Sequence, residues 1–122
     1  MMIFDFVYTL AFCDITTGEF QVVNIDKKDH LLNNQLASME VKEIVVKSDC
    51  TYNFNDSIMV SHYDNETFNE KYRDIFHNIK DLKEIKVSTL LLNYLIETQK
   101  RDLEHLQMIE EINNQDFMTM DL

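Results

Sequence analysis

No proline and a single glycine occur in the 122 residues of this chain. Sites that bring backbone close to a ligand or turn sharply need glycine. No P-loop, dinucleotide-binding glycine cluster or nucleophile elbow can therefore be written from this sequence. Cysteine is scarce as well. Cys13 and Cys50 stand alone without C-x-x-C spacing and with no signal peptide before them, so they read as reduced thiols of a cytoplasmic chain. Basic residues number 11 against 22 acidic ones, a net charge of −11. That charge repels a phosphate backbone, and no Lys/Arg stripe with interleaved aromatics offsets it, which argues against autonomous DNA or RNA binding. His30, His62, His77 and His105 are scattered without ligand spacing, so no metal site is expected. Apolar runs such as Ile3 to Cys13 are too short and too interrupted to span a bilayer, and no membrane partner is expected.

What the chain does have is a 45% apolar composition with eight Phe and five Tyr, enough for the core of one domain. Its acidic character and Met/Phe-rich segments suit a module that meets other proteins. Ile3 to Cys13 is aromatic and β-branched, and Phe20, Val22, Val23 and Ile25 continue in that character, which predicts a β-hairpin. Asp26 or a near neighbour is placed to cap a helix with Leu31, Leu32, Gln35, Leu36 and Met39 on one stripe. Ile44-Val45-Val46 reads as a strand covered on both faces, Ser48 to Asp56 as a loop, and Ile58-Met59-Val60 as a further short strand. Phe68, Tyr72, Ile75, Phe76 and Ile79 predict an amphipathic helix over 66–79 capped by Asp64 or Asn65. A longer helix is expected from Thr89 to about Met108, capped by Ser88 and carrying Leu91, Leu92, Leu95, Ile96, Leu103 and Leu106. Two strands, helix, strand, helix and long helix together give an α/β fold with flanking helices and no internal repeat.

The lone glycine sits in Asp14-Ile15-Thr16-Thr17-Gly18-Glu19-Phe20. Two readings compete there. Hydroxyls and N–H groups beside a glycine can cradle a phosphate. Alternatively, Gly18 supplies the positive φ of a hairpin turn whose local bonds come from Asp14, Thr16 and Thr17. One glycine where phosphate loops carry several favours the structural turn. Asp5, Asp14 and Glu19 flank the hairpin, and a small RNase H-like metal-dependent nuclease would gather such carboxylates around two metal ions. With 22 acidic residues, coincidental neighbours are expected anywhere.

Leu10-Ala11-Phe12-Cys13-Asp14-Ile15-Thr16-Thr17-Gly18-Glu19-Phe20 matches the pattern Leu-Ala-(Tyr/Phe)-x-Asp-(Leu/Ile)-(Ser/Thr)-Thr-Gly-Glu-Phe. Val41-Lys42-Glu43-Ile44-Val45-Val46 falls on a helix-to-strand segment of the same family. Leu91-Leu92-Asn93-Tyr94-Leu95-Ile96-Glu97-Thr98-Gln99-Lys100-Arg101, with Leu103-Glu104-His105-Leu106, matches Leu-Leu-x-Tyr-Leu-x-x-Thr-Gln-Lys-x-x-Leu-x-His-Leu. In this order the segments resemble the connector domain (domain II) of the bacterial mismatch-repair protein MutS, over roughly residues 8 to 122. Asp116-Phe117-Met118-Thr119-Met120-Asp121 resembles the passage into the following core (lever) domain, which divides the chain into 1–112 and a truncated 113–122. The chain looks cut off after Leu122. One departure concerns the amino end. The family usually has one more strand before Leu-Ala-Tyr, whereas only Met1 to Val7 precede it here, so that strand is expected to be shortened, replaced or missing.

The resemblance implies an RNase H-like mixed sheet without nuclease activity. It implies a connector that couples mismatch recognition to the ATPase and clamp domains and docks a MutL-type protein. The partners are then MutL and the other MutS domains, with mismatched duplex DNA met only through the full-length protein. ATP and Mg belong to the ATPase domain, which this chain lacks, so neither catalytic nor cofactor-binding residues are assigned. A partner surface is expected near Asn69, Glu70 and Lys71, although these three match no family motif.

Overall fold

The computed structural model describes residues 1–99 and 103–112. The chain runs β1 (Met2–Ile3), β2 (Val7–Asp14), β3 (Glu19–Asp26), α1 (Asp29–Ser38), β4 (Glu43–Val46), β5 (Met59–His62), a 3-10 segment (Glu70–Phe76), α2 (Leu82–Gln99) and β6 (Glu110–Glu111). The hairpin is in register from Val7↔Asp26 to Asp14↔Glu19. β1 adds antiparallel to β2, and β6 adds parallel to β3, giving a mixed sheet in the order β1-β2-β3-β6. β4 and β5 form a separate parallel pair. The Met1 amino nitrogen links the two, donating to Val45 O at 2.7 Å; its burial pushes that amine down to about 5.

Strand alternation puts opposite faces of β3 into two cores. Val23 and Ile25 join Tyr8, Leu10, Leu32, Leu36, Ile44 and Val46 under α1. Phe20 and Val22 join Tyr72, Phe76, Leu92, Leu103 and Ile109 on the other face, with α2. The architecture is thus a mixed α/β layer with a helix on each side, as the element pattern implies. Ile44, Val45 and Val46 are all buried, in keeping with a strand covered on both faces.

Four elements differ from expectation. α1 begins after Lys28, which makes no side-chain cap, so Asp26 does not cap it; Lys28 N instead bonds Asp26 O at 2.7 Å. α1 ends with Glu40 at φ 53, in the left-handed region usually given to glycine, while Val41 N closes on Leu36 O at 3.1 Å. β5 runs to His62 rather than stopping at Val60.

Residues 66–79 do not form the expected α-helix. Asn65 and Asn69 each turn the backbone locally, Oδ1 accepting from Thr67 N at 3.0 Å and from Lys71 N at 3.1 Å. Asp64 is tied to Ser48 instead of capping. Asn93 Nδ2, from α2, donates to the carbonyls of Asn65 (3.0 Å) and Thr67 (2.9 Å), which a helix would need for its own N–H groups. Only a short 3-10 segment with a kink at Tyr72 remains. Asn93→Ala removes the buried donor from both carbonyls, which belong to exposed residues and are left to water. We expect a loss of about 1 kcal/mol in chemical denaturation, with faster amide exchange at Thr67 and Lys71; unchanged exchange there would remove the clamp.

The long helix starts six residues before Ser88. Asp81 caps it, Oδ1 accepting from Lys83 N at 2.8 Å and its carbonyl from Ile85 N at 3.0 Å. Ser88 lies inside the helix, fully buried. Leu103 and Leu106 are off the helix, in a segment held by long-range bonds such as Ile109 N to Ile75 O at 2.8 Å. The passage at 116–121 and the boundary at 113 lie outside the described residues.

Candidate functional site

The Gly18 turn is built by its own side chains. Asp14 Oδ1 accepts from Thr16 N at 2.9 Å and Thr17 N at 3.4 Å. Thr17 Oγ1 accepts from Glu19 N at 3.2 Å. Gly18, at φ 82, closes on Asp14 O at 2.7 Å. Sequence reasoning missed what covers it. Gly18 is buried beneath residues 105–107. Gln107 N donates to Gly18 O at 2.7 Å, Gln107 Nε2 to Thr17 O at 3.1 Å, and a His105 ring nitrogen lies 2.6 Å from Ile15 O. The Gly18 N–H is already used and its other side faces His105, so the turn does not fit a phosphate.

The hairpin carboxylates do not converge. Asp14 and Glu19 face each other across the turn, and Asp14 is engaged with its own backbone. Asp5 lies beyond the far end of β2, seven residues further along from Val7 to Asp14, about 23 Å at strand rise. Among the described residues no group of three or more His, Cys, Asp or Glu is arranged to hold a metal ion. The Cys13 thiol is half-buried, and burial together with the Asp14 charge pushes it up to about 12, away from nucleophilic use.

Asn69, Glu70 and Lys71 do come together, at the start of the 3-10 segment. Asn69 caps it, Glu70 pairs with Arg73 at 3.4 Å, and the Lys71 ammonium lies 5.6 Å from the Tyr72 ring centre. Glu70 and Lys71 are exposed. The result is a small surface of mixed charge fixed by local contacts, able to meet a protein partner.

Sequence reasoning also passed over Glu84. It is only 2% exposed, and its Oε1 and the Ser88 hydroxyl have no hydrogen-bond partner among the described residues. Burial first, then the hydrogen bond and charge of Glu111 on β6, then Asp81, push its carboxyl up to about 8. Beside it Thr9 Oγ1 bonds Asn24 Oδ1 at 2.6 Å, and Asn24 Nδ2 donates to Asp81 Oδ2 at 2.9 Å. The Asp81-x-x-Glu84 spacing, a capping-box signature, was the available signal for the helix start. Among the described residues no helix is long and apolar enough to cross a membrane.

Comparison with known proteins agrees on one family. The family model described as MutS domain II matches residues 5–107. The DNA mismatch repair protein MutS of Oceanobacillus iheyensis is 30% identical over 97% of this chain, which spans 14% of that protein. The proteins of the same name from Staphylococcus haemolyticus and Halalkalibacterium halodurans are each 33% identical, over 96% and 97% of the chain and 13% and 14% of their own lengths. The chain thus spans about one seventh of the relatives it matches.

Proposed function

The chain belongs to the MutS domain II family, and we propose on that basis that it acts as a non-enzymatic connector of a DNA mismatch-repair protein. It couples mismatch recognition to the ATPase and clamp domains and offers a docking surface to a MutL-type protein. The observation that carries the reading is the family match over residues 5–107, which takes in both the Gly18 turn and the His105 segment packed upon it. An RNase H-like arrangement is supported by β1 pairing with β2 while Met1, just before it, bonds Val45 of β4. DNA contact is left to other parts of the longer protein, as a charge of −11 favours. ATP and Mg likewise belong to the ATPase domain, and the domain boundary falls near residue 112. A cytoplasmic setting suits the two free cysteines.

The docking surface is placed at Asn69, Glu70 and Lys71. The double substitution E70K/K71E reverses both exposed charges while leaving the Asn69 cap in place. Binding of this chain to a MutL protein, measured by surface plasmon resonance, is expected to weaken about tenfold, with an unchanged thermal midpoint. Equal affinity of the two forms would place the surface elsewhere.

A further inference from the structure

A groove of about 540 Å³ opens where the 3-10 segment, the start of α2 and the residues leading into β6 meet. Buried Phe76 and half-buried Ile85 line it together with Phe68 and Met108, which are 37% and 43% exposed. Leu82, one turn before Ile85 on α2, is 64% exposed and extends the apolar strip. Single exposed apolar side chains are ordinary, whereas several gathered around one groove mark a contact surface. Its walls are already fixed. Asn93 Nδ2 holds Thr67 O at 2.9 Å, just before Phe68, and the Phe68 ring meets Phe76 edge to face with centres 5.2 Å apart. Ile109 N bonds Ile75 O at 2.8 Å, which sets Met108 beside the 3-10 segment. A preformed site gives up little conformational freedom when it is filled.

The charge around the groove runs against that of the chain. Five of the 11 basic residues, Lys71, Arg73, Lys80, Lys83 and Lys86, fall between positions 71 and 86. The acidic residues of that stretch are Asp74, Asp81 and Glu84. Asp81 is occupied in capping α2 and Glu84 is buried, so Asp74 is the one exposed carboxylate of the stretch. Arg73, Asp74 and His77 stand at the groove itself. Arg73 pairs with Glu70 at 3.4 Å through two exposed side chains, a contact worth little in water. Its guanidinium can therefore turn to another carboxylate, which it suits geometrically.

We propose that this groove receives an acidic segment of a partner protein, with large apolar side chains seated among Phe68, Phe76, Ile85 and Met108 and a carboxylate on Arg73. A nucleic acid is disfavoured by the apolar lining and by the net charge of −11, which repels phosphate. The same charge disfavours a second copy of this chain. Glu70 and Lys71 are not among the lining residues, so the groove stands apart from the docking surface placed there.

The test uses the fluorescein-labelled peptide Glu-Asp-Leu-Phe-Asp-Glu-amide with the intact chain and no MutL protein, so its outcome is separate from that of the E70K/K71E exchange. Expected are saturable 1:1 binding by anisotropy and NMR shift changes at the amides of Phe76, Ile85 and Met108. Alanine in place of the peptide's Leu and Phe, or lysine in place of its four acids, is expected to abolish binding. Met108→Glu and Arg73→Glu, both at exposed positions, are each expected to weaken binding about tenfold at an unchanged thermal midpoint. No saturable binding up to about 1 mM, equal binding of the alanine or lysine peptide, or unchanged affinity in both variants would overturn the proposal. So would displacement of the peptide by a 20-base-pair DNA duplex, or a free chain that sediments as a dimer, since a nucleic acid or a second copy would then be the occupant.

Discussion

Gly18→Ala is expected to destabilise the fold by about 3–5 kcal/mol, a large share of a small domain's stability. Two costs combine. At φ 82 a side chain meets the left-handed penalty of about 1–2 kcal/mol. The larger cost is steric, because a Cβ would fall far inside contact distance of His105 O and 3.0 Å from His105 C. Both are backbone atoms and cannot swing away. Relief requires residues 103–107 to lift, which breaks the Gln107 N to Gly18 O bond and disturbs Leu103 and Leu106, both buried beside Phe20. Thr17→Ala is the comparison. It removes the Thr17 Oγ1 acceptor for Glu19 N at an exposed position and is expected to cost about 1 kcal/mol or less. Urea denaturation of the two variants distinguishes a crowded glycine from an ordinary turn. A Gly18→Ala protein within about 1 kcal/mol of the parent would show that the 103–107 segment does not sit on the turn.

That contact also explains what could be read from the sequence. The hairpin was legible because its determinants are local: β-branched and aromatic residues on both arms and one glycine between Asp/Thr donors and acceptors. Its lid was not legible, because His105 and Gln107 reach Ile15 and Thr17 across 90 residues. The resemblance supplied the Asp-Ile-Thr-Thr-Gly-Glu-Phe and Leu-Glu-His-Leu segments separately, and the fold makes them one contact. The same physics explains the misplaced helices. The 66–79 stripe has helical spacing and does bury Tyr72, Phe76 and Ile79, but the Asn93 side chain captures two carbonyls that the helix would need. Leu103 and Leu106 fit the spacing of α2 and reach the same core from beyond it. Burial periodicity told which residues face inward, while bonds from distant residues decided the backbone that carries them. β6, two glutamates paired to β3, had no apolar pattern to betray it.

Glu84 provides the second large effect, through pH. Its carboxyl rises from 4.5 to about 8 on folding, so between those values the native state holds a proton that the unfolded chain has released. The associated stability is full below about pH 4.5 and is lost as pH rises through about 8. Three and a half pH units set an upper limit of about 5 kcal/mol, and because water screens the exposed Glu111 charge we expect about 2–3 kcal/mol. The groups facing Glu84 are Glu111 from β6, Asp81 at the helix start and Lys83, and only Lys83 opposes the rise. The parent's own pH curve does not isolate this effect. The buried Met1 amine, lowered from 8.0 to about 5, gives stability that is full above pH 8 and lost as pH falls toward 5, the opposite slope in the same window. Comparison with Glu84→Gln separates the two, because the amide keeps the shape, offers a donor to Glu111 and leaves Met1 untouched. The variant is expected to be about 2–3 kcal/mol more stable than the parent at pH 8 and nearly equal to it at pH 5. Stability curves that run parallel from pH 5 to 8 would show that Glu84 does not carry the proton. Since Glu111 lies on β6, the charged pair should also loosen that strand. Exchange of the Ile112 amide, bonded to Val22 O at 2.8 Å, is expected to quicken above pH 8 in the parent, beyond the rise set by hydroxide, and not in Glu84→Gln.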